Sequence, residues 1–140
     1  MRYYLDTNII AFILFYEKLE DNCDINVRNI ISDYGNIFYI SSIAARELVK
    51  LYNDGKLKYG KYKSHKDLFA QIDKMGIEIK PFAQQHVMTY AELTFAPNHK
   101  DPNDHMIIAQ AISDKISLIS SDTDFQFYEK QKLKFIFNKR

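Results

Sequence analysis

Four carboxylates follow short apolar segments or lie near the start of predicted helices, and together they could bind a divalent cation. Asp6 and Asp122 each follow a short apolar segment that predicts a strand, Asp122 after a step of two serines. Glu47 lies one turn into a predicted helix, and Asp104 lies at the start of another. Because ligands of parallel α/β folds bind at the carboxyl ends of the strands, these four side chains can all be placed at one rim.

The chemistry of such a rim follows from the repulsion between like charges. Carboxylates that gather at one point raise each other's pKa values unless a cation neutralises them. Hard oxygen ligands suit Mg²⁺ or Mn²⁺, and these metals activate water for phosphodiester hydrolysis. Each acid also has a simpler explanation: Asp6 as a helix cap, Glu47 as a solvated helix residue, and Asp122 as a turn residue. Residue types and spacing leave both interpretations open.

The elements that position these acids alternate between strands and helices. Compact apolar or alternating segments predict strands at 3–5, 37–40, 77–79, 116–119 and 132–137. Helical patterns and capping residues predict helices at 7–18, 25–34, 43–53, 66–75, 83–93 and 104–115. Thr7 or Asn8 can cap the first helix, and Asp101 followed by Pro102 is a typical helix start. This alternation predicts an α/β fold with a mainly parallel sheet.

Length and composition fit one compact protein unit. The 140 residues, 46% apolar, predict a single domain over residues 1–140. The one cysteine, Cys23, excludes an internal disulfide and suits a reducing cytoplasm. The first residues do not have the pattern of a signal peptide, and no apolar run has the roughly 18–20 residues of a membrane span. We therefore expect a cytoplasmic protein without a membrane partner.

The net charge of +1 hides a segregation of cations, with five lysines and no acid in residues 56–66. Cations interleaved with aromatic rings can hold single-stranded RNA, the charges on phosphates and the rings under bases. A solvated loop and a protein-binding surface are the alternatives. The candidate RNA-binding residues are Lys56, Lys58, Tyr59, Lys61, Tyr62 and Lys63.

Two histidines flank the segment that contains Asp104. His99 and His105 could form a zinc site with Asp101 and Asp104, since zinc accepts imidazole and carboxylate ligands. Solvated or helix-end histidines are the simpler interpretation.

Four segments, in this order, resemble the PIN-domain family, and most closely its VapC-type toxin ribonucleases of type II toxin–antitoxin systems. They are YLDTNII at 4–10, SSIAAREL at 41–48, DPNDHMIIAQA at 101–111 and LISSDTDF at 118–125. The segments together span nearly the whole chain. One position departs from the toxin pattern, because His105 stands where those toxins commonly have arginine.

The resemblance implies a three-layer α/β/α sandwich around a mainly parallel sheet. It implies that the catalytic residues, which are also the ligands of Mg²⁺ or Mn²⁺, are Asp6, Glu47, Asp104 and Asp122. Residues that would support this site are Asn8, Asp101, Ser120 and Asp124.

The activity that the resemblance implies is metal-dependent endoribonucleolytic hydrolysis of RNA phosphodiester bonds. It also implies a toxin that is held inactive by a small antitoxin protein and that forms a homodimer. The alternative is a non-catalytic module of the same fold that binds RNA or protein. A receiver-like domain is disfavoured because it would need paired acids after its first strand, where Asp6 is followed by Thr7.

Overall fold

A five-stranded sheet forms the centre of the protein. The computed structural model describes residues 1–16, 18–56 and 61–140. Neighbouring strands run parallel throughout the sheet, in the order β3-β2-β1-β4-β5. The strands are β1 (Arg2–Leu5), β2 (Ile37–Ser41), β3 (Glu78–Lys80), β4 (Ser117–Ser120) and β5 (Phe135–Phe137).

Helices connect the strands and complete the three-layer α/β/α fold, which confirms the predicted fold class. They are α1 (Thr7–Phe15), α2 (Ile25–Ser32), α3 (Ser42–Asn53), α4 (His65–Lys74), α5 (Gln84–Glu92) and α6 (Pro102–Asp114). Two 3₁₀ helices, Leu19–Asp21 and Thr123–Gln131, complete the regular structure of the described ranges. Within those ranges, none of the helices has the length and apolarity that crossing a membrane requires.

β1 occupies the middle of the sheet, which accounts for its apolar sequence. Tyr4 and Leu5 are each 1% exposed, as expected for a strand covered on both faces. The strand order reverses direction at β1, so the sheet has its topological switch point there, where open α/β folds place their ligands. Leu5 pairs with Ile119 of β4, and the Asp6 amide donates to the Ile119 carbonyl at 3.0 Å. The register therefore aligns Asp6 with the end of β4.

Short polar side chains begin the helices that leave this edge. Asp6 is the N-cap of α1 and accepts a hydrogen bond from the Thr7 amide. This confirms the interpretation of Asp6 as a helix cap, whereas the prediction that Thr7 or Asn8 caps this helix is wrong. Ser41 caps α3 by accepting from the Ile43 amide. Asp101 caps α6 ahead of Pro102, as predicted. A side chain that caps a helix has a fixed orientation. The cap of α1 therefore fixes the Asp6 carboxylate at the switch point of the sheet.

The chain between β4 and β5 differs from the prediction. Residues 123–131 form a 3₁₀ helix, in which side chains three residues apart lie above one another. Phe125 and Tyr128 have this spacing, and both are completely buried. Lys132 then has a φ of 77°, a left-handed conformation that no strand contains, so β5 is shorter than predicted. α1 also ends at Phe15, before the predicted boundary at residue 18.

Candidate metal centre

Asp6 lies at the bottom of the site and is almost completely buried, with 3% of its surface exposed. Its Oδ1 accepts from the Thr7 amide at 2.8 Å. Its Oδ2 accepts from the Ser120 hydroxyl at 2.7 Å and from Asn8 Nδ2 at 3.2 Å. Burial and the charge of Asp104 raise the pKa of Asp6 to about 7, although the hydrogen bonds from Ser120 and Thr7 oppose the shift.

Asn8 and Ser120 connect Asp6 to the loop after β4. The Ser120 hydroxyl accepts from the Asp122 amide at 3.1 Å while it donates to Asp6. Asn8 Oδ1 accepts from the Ser121 amide at 3.3 Å. The same two side chains therefore hold both the first acid and the backbone that carries Asp122.

Glu47 reaches the same edge from α3. Its Oε1 accepts from the Thr7 hydroxyl at 2.6 Å. Burial raises the pKa of Glu47, the Thr7 hydrogen bond partly opposes this, and the charge of Asp101 adds to it. The neighbouring Arg46 donates from Nη2 to Asn103 Oδ1 at 2.6 Å, which ties α3 to the start of α6. The sequence interpretation had missed Thr7 and Asn103 as neighbours of the site.

Asp104 lies in the first turn of α6 and experiences the strongest crowding of charge. Burial and the charges of neighbouring carboxylates raise the pKa of Asp104 to about 8. Those neighbours, in order of decreasing effect, are Asp101, Asp122, Glu47 and Asp124. The structure therefore brings the predicted acids of four separate segments close enough for their charges to interact.

Asp122 and Asp124 belong to the turn that begins the 3₁₀ helix. Asp122 is its N-cap and accepts from the Asp124 amide at 2.9 Å. This contact agrees with the turn role that the sequence also allowed. The charges of both residues nevertheless act on Asp104.

His99 completes a compact group of possible ligands that the sequence did not predict. One ligand atom each from His99, Asp122 and Asp124 lie within 4.8 Å of one another. Among the residues that the structure describes, the four predicted acids do not form a group this tight. His99 Nε2 also lies 2.9 Å from Asp104 Oδ2, so the imidazole lies between Asp104 and the turn that carries Asp122 and Asp124.

The histidines are not solvated, which corrects one interpretation of the sequence. His99 and His105 are 5% and 3% exposed. His105 Nε2 donates to the His99 carbonyl at 2.8 Å, and its ring stacks on Phe95 with centroids 3.9 Å apart. His105 therefore has a structural role in the packing of this part of the chain. In the described part of the chain, His105 and Asp101 do not join His99 in a compact ligand group, so the alternative zinc site receives no support.

The basic segment is described only in part. Lys58 and Tyr59 lie outside the described residues, while Lys56, Lys61 and Lys63 are exposed. Tyr62 has a structural explanation, because its hydroxyl donates to the Leu14 carbonyl at 3.0 Å and its ring packs edge-on against Phe15. The ammonium groups of these lysines are thus accessible to a ligand, whereas the Tyr62 ring packs against the core.

A groove of about 650 Å³ opens beside the acids. His99 and Asp124 form part of its wall, so the groove leads to the site. Phe127 and Lys130 also line it, with the Lys130 ammonium 4.3 Å from the centre of the Phe127 ring. An aromatic ring and a cation next to an acidic site can contact a base and a phosphate.

The donor set fits a hard divalent cation. The ligand atoms are mainly carboxylate oxygens, which Mg²⁺ and Mn²⁺ prefer. The raised pKa values of Asp6 and Asp104 have repulsion between carboxylates among their causes. A bound cation removes that repulsion, so the electrostatics of the site favour one.

Comparison with solved structures finds similar folds of nearly the same length. The VapBC2 structure of Rickettsia felis, bound to a DNA fragment from its promoter, has a TM-score of 0.65 at 21% identity, with 99% of each chain covered. The DNA-bound VapBC structure of Salmonella typhimurium has a TM-score of 0.66 at 19% identity, with 98% of each chain covered. VapBC-1 of nontypeable Haemophilus influenzae has a TM-score of 0.66 at 21% identity, again with 98% covered.

Comparison of sequences gives the family. No curated protein sequence matches this chain. The sequence profile of the PIN domain matches residues 3–131, which include all the acids described above. The order of the motifs, the parallel sheet and the profile agree, and the chain belongs to the PIN domain family.

Proposed function

We propose that this protein is a Mg²⁺- or Mn²⁺-dependent endoribonuclease that acts as the toxin of a toxin–antitoxin pair. The observation that carries the proposal is the convergence of Asp6, Glu47, Asp104 and Asp122 at the switch point of the sheet, where burial and mutual repulsion raise the pKa values of Asp6 and Asp104. Crowded acids of this kind are costly to the fold without a cation, which favours a functional reason for their placement.

Each side chain has a role that its contacts support. Asp6, Asp104 and Asp122 hold the cation, and Glu47 binds it directly or orients the attacking water. Ser120 and Asn8 fix Asp6, and Thr7 fixes Glu47. The bound cation would activate water and stabilise charge on the attacking and leaving oxygens of the phosphodiester.

The substrate path follows from the groove beside the acids. Phe127 and Lys130 would contact the RNA strand next to the scissile phosphate, and the exposed lysines Lys56, Lys61 and Lys63 would contact phosphates farther along. The net charge of +1 is consistent with local rather than general attraction of RNA.

Cleavage by purified protein tests the enzyme proposal. A mixed panel of structured and single-stranded RNAs would be incubated with Mg²⁺, Mn²⁺ or EDTA. The Asp6→Asn variant keeps an oxygen for the Thr7 amide but loses the charge, so we expect it to fold and to lose metal-dependent cleavage. Asp73→Asn, on the exposed side of α4, removes the same charge away from the site and should cleave normally.

Full metal-dependent cleavage by Asp6→Asn would contradict the assignment of the site. If no RNA were cut under any condition, Mn²⁺ titration of the wild type would separate a target-specific nuclease, which binds the ion, from a non-catalytic PIN module, which has no need of one.

The partner proposal rests on the family resemblance and on the VapBC structures that share this fold. We expect expression of the chain alone to arrest growth of its host, and co-expression of a small neighbouring gene product to restore it. Harmless overexpression would count against a toxin. A homodimer, a single domain over residues 1–140 and a cytoplasmic location stay predictions, of which light scattering of the purified protein tests the first.

A further inference from the structure

His99 lies in the connection between α5 and α6 and is enclosed by aromatic rings. It is 5% exposed. The Tyr128 ring meets it nearly edge-on with centroids 5.5 Å apart, and the Phe125 ring lies 5.7 Å away. A ring packed in this way has little freedom to rotate, so the directions of its two nitrogens are fixed.

The hydrogen bonds around Tyr128 assign the protons of the imidazole. The Tyr128 oxygen accepts from the Ala96 amide at 3.1 Å and lies 2.9 Å from His99 Nδ1. An ionised Asp104 carboxylate can only accept from Nε2, and the Tyr128 hydroxyl is then free to donate its proton to Nδ1. The proton of a neutral imidazole then resides on Nε2, which donates to Asp104 Oδ2 at 2.9 Å.

The backbone of His99 is held as firmly as its ring. His105 Nε2 donates to the His99 carbonyl at 2.8 Å, and the His105 ring stacks parallel to Phe95 at an interplanar angle of 5°. His105 is in α6, one residue after Asp104. The same helix therefore carries Asp104 and, through His105, holds the backbone of His99, whose ring donates to Asp104.

We propose that His99 is a positioning residue, which orients the Asp104 carboxylate for metal binding while Tyr128 fixes the imidazole. The carboxylates of Asp101, Asp122, Glu47 and Asp124 repel Asp104. A single rigid donor to Oδ2 opposes the rotation of Asp104 away from them and leaves the other oxygen, Oδ1, available to a cation. This inference rests on the proposed function, since it takes Asp104 as a metal ligand.

A different role for His99 would follow if its nitrogen bound the metal with Asp122 and Asp124, whose ligand atoms are within 4.8 Å of it. We favour positioning because both ring nitrogens already have hydrogen-bond partners in the structure. The two roles differ in what they predict for the Asp104→Asn background and for the spectrum of bound Mn²⁺.

The test is Mn²⁺ affinity of the full-length protein, measured by calorimetry and by electron paramagnetic resonance. His99→Phe keeps a ring among Phe125 and Tyr128 but removes the donor, and we expect about a 10–100-fold loss of affinity, typical of residues that orient ligands. His99→Gln places an amide donor near the original Nε2 and should recover part of the loss. Tyr128→Phe, which only loosens the imidazole, should have the smaller effect of the two phenylalanine variants.

The double variant separates positioning from direct ligation. In the Asp104→Asn background, His99→Phe should change the affinity by less than about twofold, because the two residues act through one contact. The same loss of affinity in both backgrounds, or ¹⁴N coupling in the spectrum of bound Mn²⁺, would show that His99 is a ligand and overturn the proposal. If wild type bound no Mn²⁺, the proposed function would fail. If wild type and folded His99→Phe bound it equally, only the positioning role would fail.

Discussion

The two ends of α6 each hold an aspartate against a buried histidine. At the first turn, His99 Nε2 lies 2.9 Å from Asp104, and at the last turn His86 Nε2 lies 2.9 Å from Asp114. The side chains of Asp104 and Asp114 have nearly equal exposure, 16% and 17%. Distance and burial therefore do not distinguish the two pairs.

Their neighbours do distinguish them. Asp114 also accepts from the Tyr4 hydroxyl at 2.5 Å, and Gln110 donates to that hydroxyl at 3.2 Å. His86 Nδ1 accepts from the Ala83 amide at 2.8 Å, so its proton is on Nε2 and points to Asp114. Donors surround Asp114, whereas carboxylates crowd Asp104 and raise its pKa to about 8. The His86–Asp114 pair is a structural contact between α5, α6 and β1. The crowding of carboxylates at the His99–Asp104 pair favours a cation instead.

The largest expected difference concerns metal binding by two matched variants of α6. Asp104→Asn should lower Mn²⁺ affinity by several kcal/mol, or about a thousandfold, because a charged ligand is lost. Asp114→Asn removes an equally exposed carboxylate at the other end of the helix and should bind Mn²⁺ as wild type does. Calorimetric titration measures both. Equal affinities of the two variants would remove the distinction between the two ends of α6.

The second prediction concerns the pH dependence of stability without metal. The pKa values of Asp6 and Asp104 rise from 3.8 to about 7 and about 8 on folding, so the folded protein binds more protons than the unfolded chain between those values. Their contribution to stability is therefore fully present below about pH 4, falls as pH rises from there, and levels off above about pH 8. Urea midpoints in EDTA would follow this decline.

Two controls accompany the pH series. Asp104→Asn should have a flatter profile and, at pH 8, a higher midpoint than wild type, since it lacks one of the repelling charges. Saturating Mn²⁺ should also oppose the decline, because the cation binds the ionised acids of the folded state. A metal-free wild type that became more stable between pH 5 and 8 would refute the charge crowding described here.

The third prediction is a loss of stability at the structural end of the helix. Asp114→Asn offers one oxygen and one amide group to two donors, Tyr4 and His86, so one buried donor loses its acceptor. Such a loss costs about 1–3 kcal/mol in the free energy of unfolding. Urea denaturation at pH 7 measures this cost, and it should occur without a change in Mn²⁺ affinity. An unchanged free energy of unfolding would show that Asp114 does not hold α5 and β1 to α6.

The smallest expected effects are those of removing single tyrosine hydroxyls at the two ends of α6. Tyr4→Phe removes one hydrogen bond to Asp114 and should cost about 1 kcal/mol of stability with unchanged Mn²⁺ affinity. Tyr128→Phe removes the contact to His99 and should lower Mn²⁺ affinity measurably. Parallel denaturation and titration of both variants compare them. A metal defect in Tyr4→Phe would mean that the two ends of α6 are coupled.

The fold was largely predictable because its strands and caps have strong local patterns. Apolar segments such as 37–40 and 116–119 became strands of the parallel sheet, and Asp101 with Pro102 began α6. The 3₁₀ helix at Thr123–Gln131 was not predictable in this way. It is stabilised by the burial of Phe125 and Tyr128 against the rest of the protein, which no local pattern reveals.

The candidate acids of the site could be predicted from the sequence for a related reason. Acids that follow strands of a parallel sheet must meet at one edge, so Asp6 and Asp122 could be assigned from their positions along the chain. Their supporting contacts depend on residues distant in sequence. The Thr7 hydroxyl meets Glu47 forty residues away, and the Tyr128 hydroxyl meets His99 twenty-nine residues away.

The sequence by itself predicted the parallel α/β fold, the family and the candidate acids of the site, because strand patterns, caps and motif order are local properties. Only the tertiary structure decided which buried histidine belongs to the site. His86 and His99 are both buried beside an aspartate, and the sequence, which singled out His99 only by its position near Asp104, does not reveal either contact. Long-range packing surrounds Asp104 with like charges and Asp114 with donors. That difference in electrostatic environment favours a cation at the His99–Asp104 pair and a purely stabilising role for the His86–Asp114 pair.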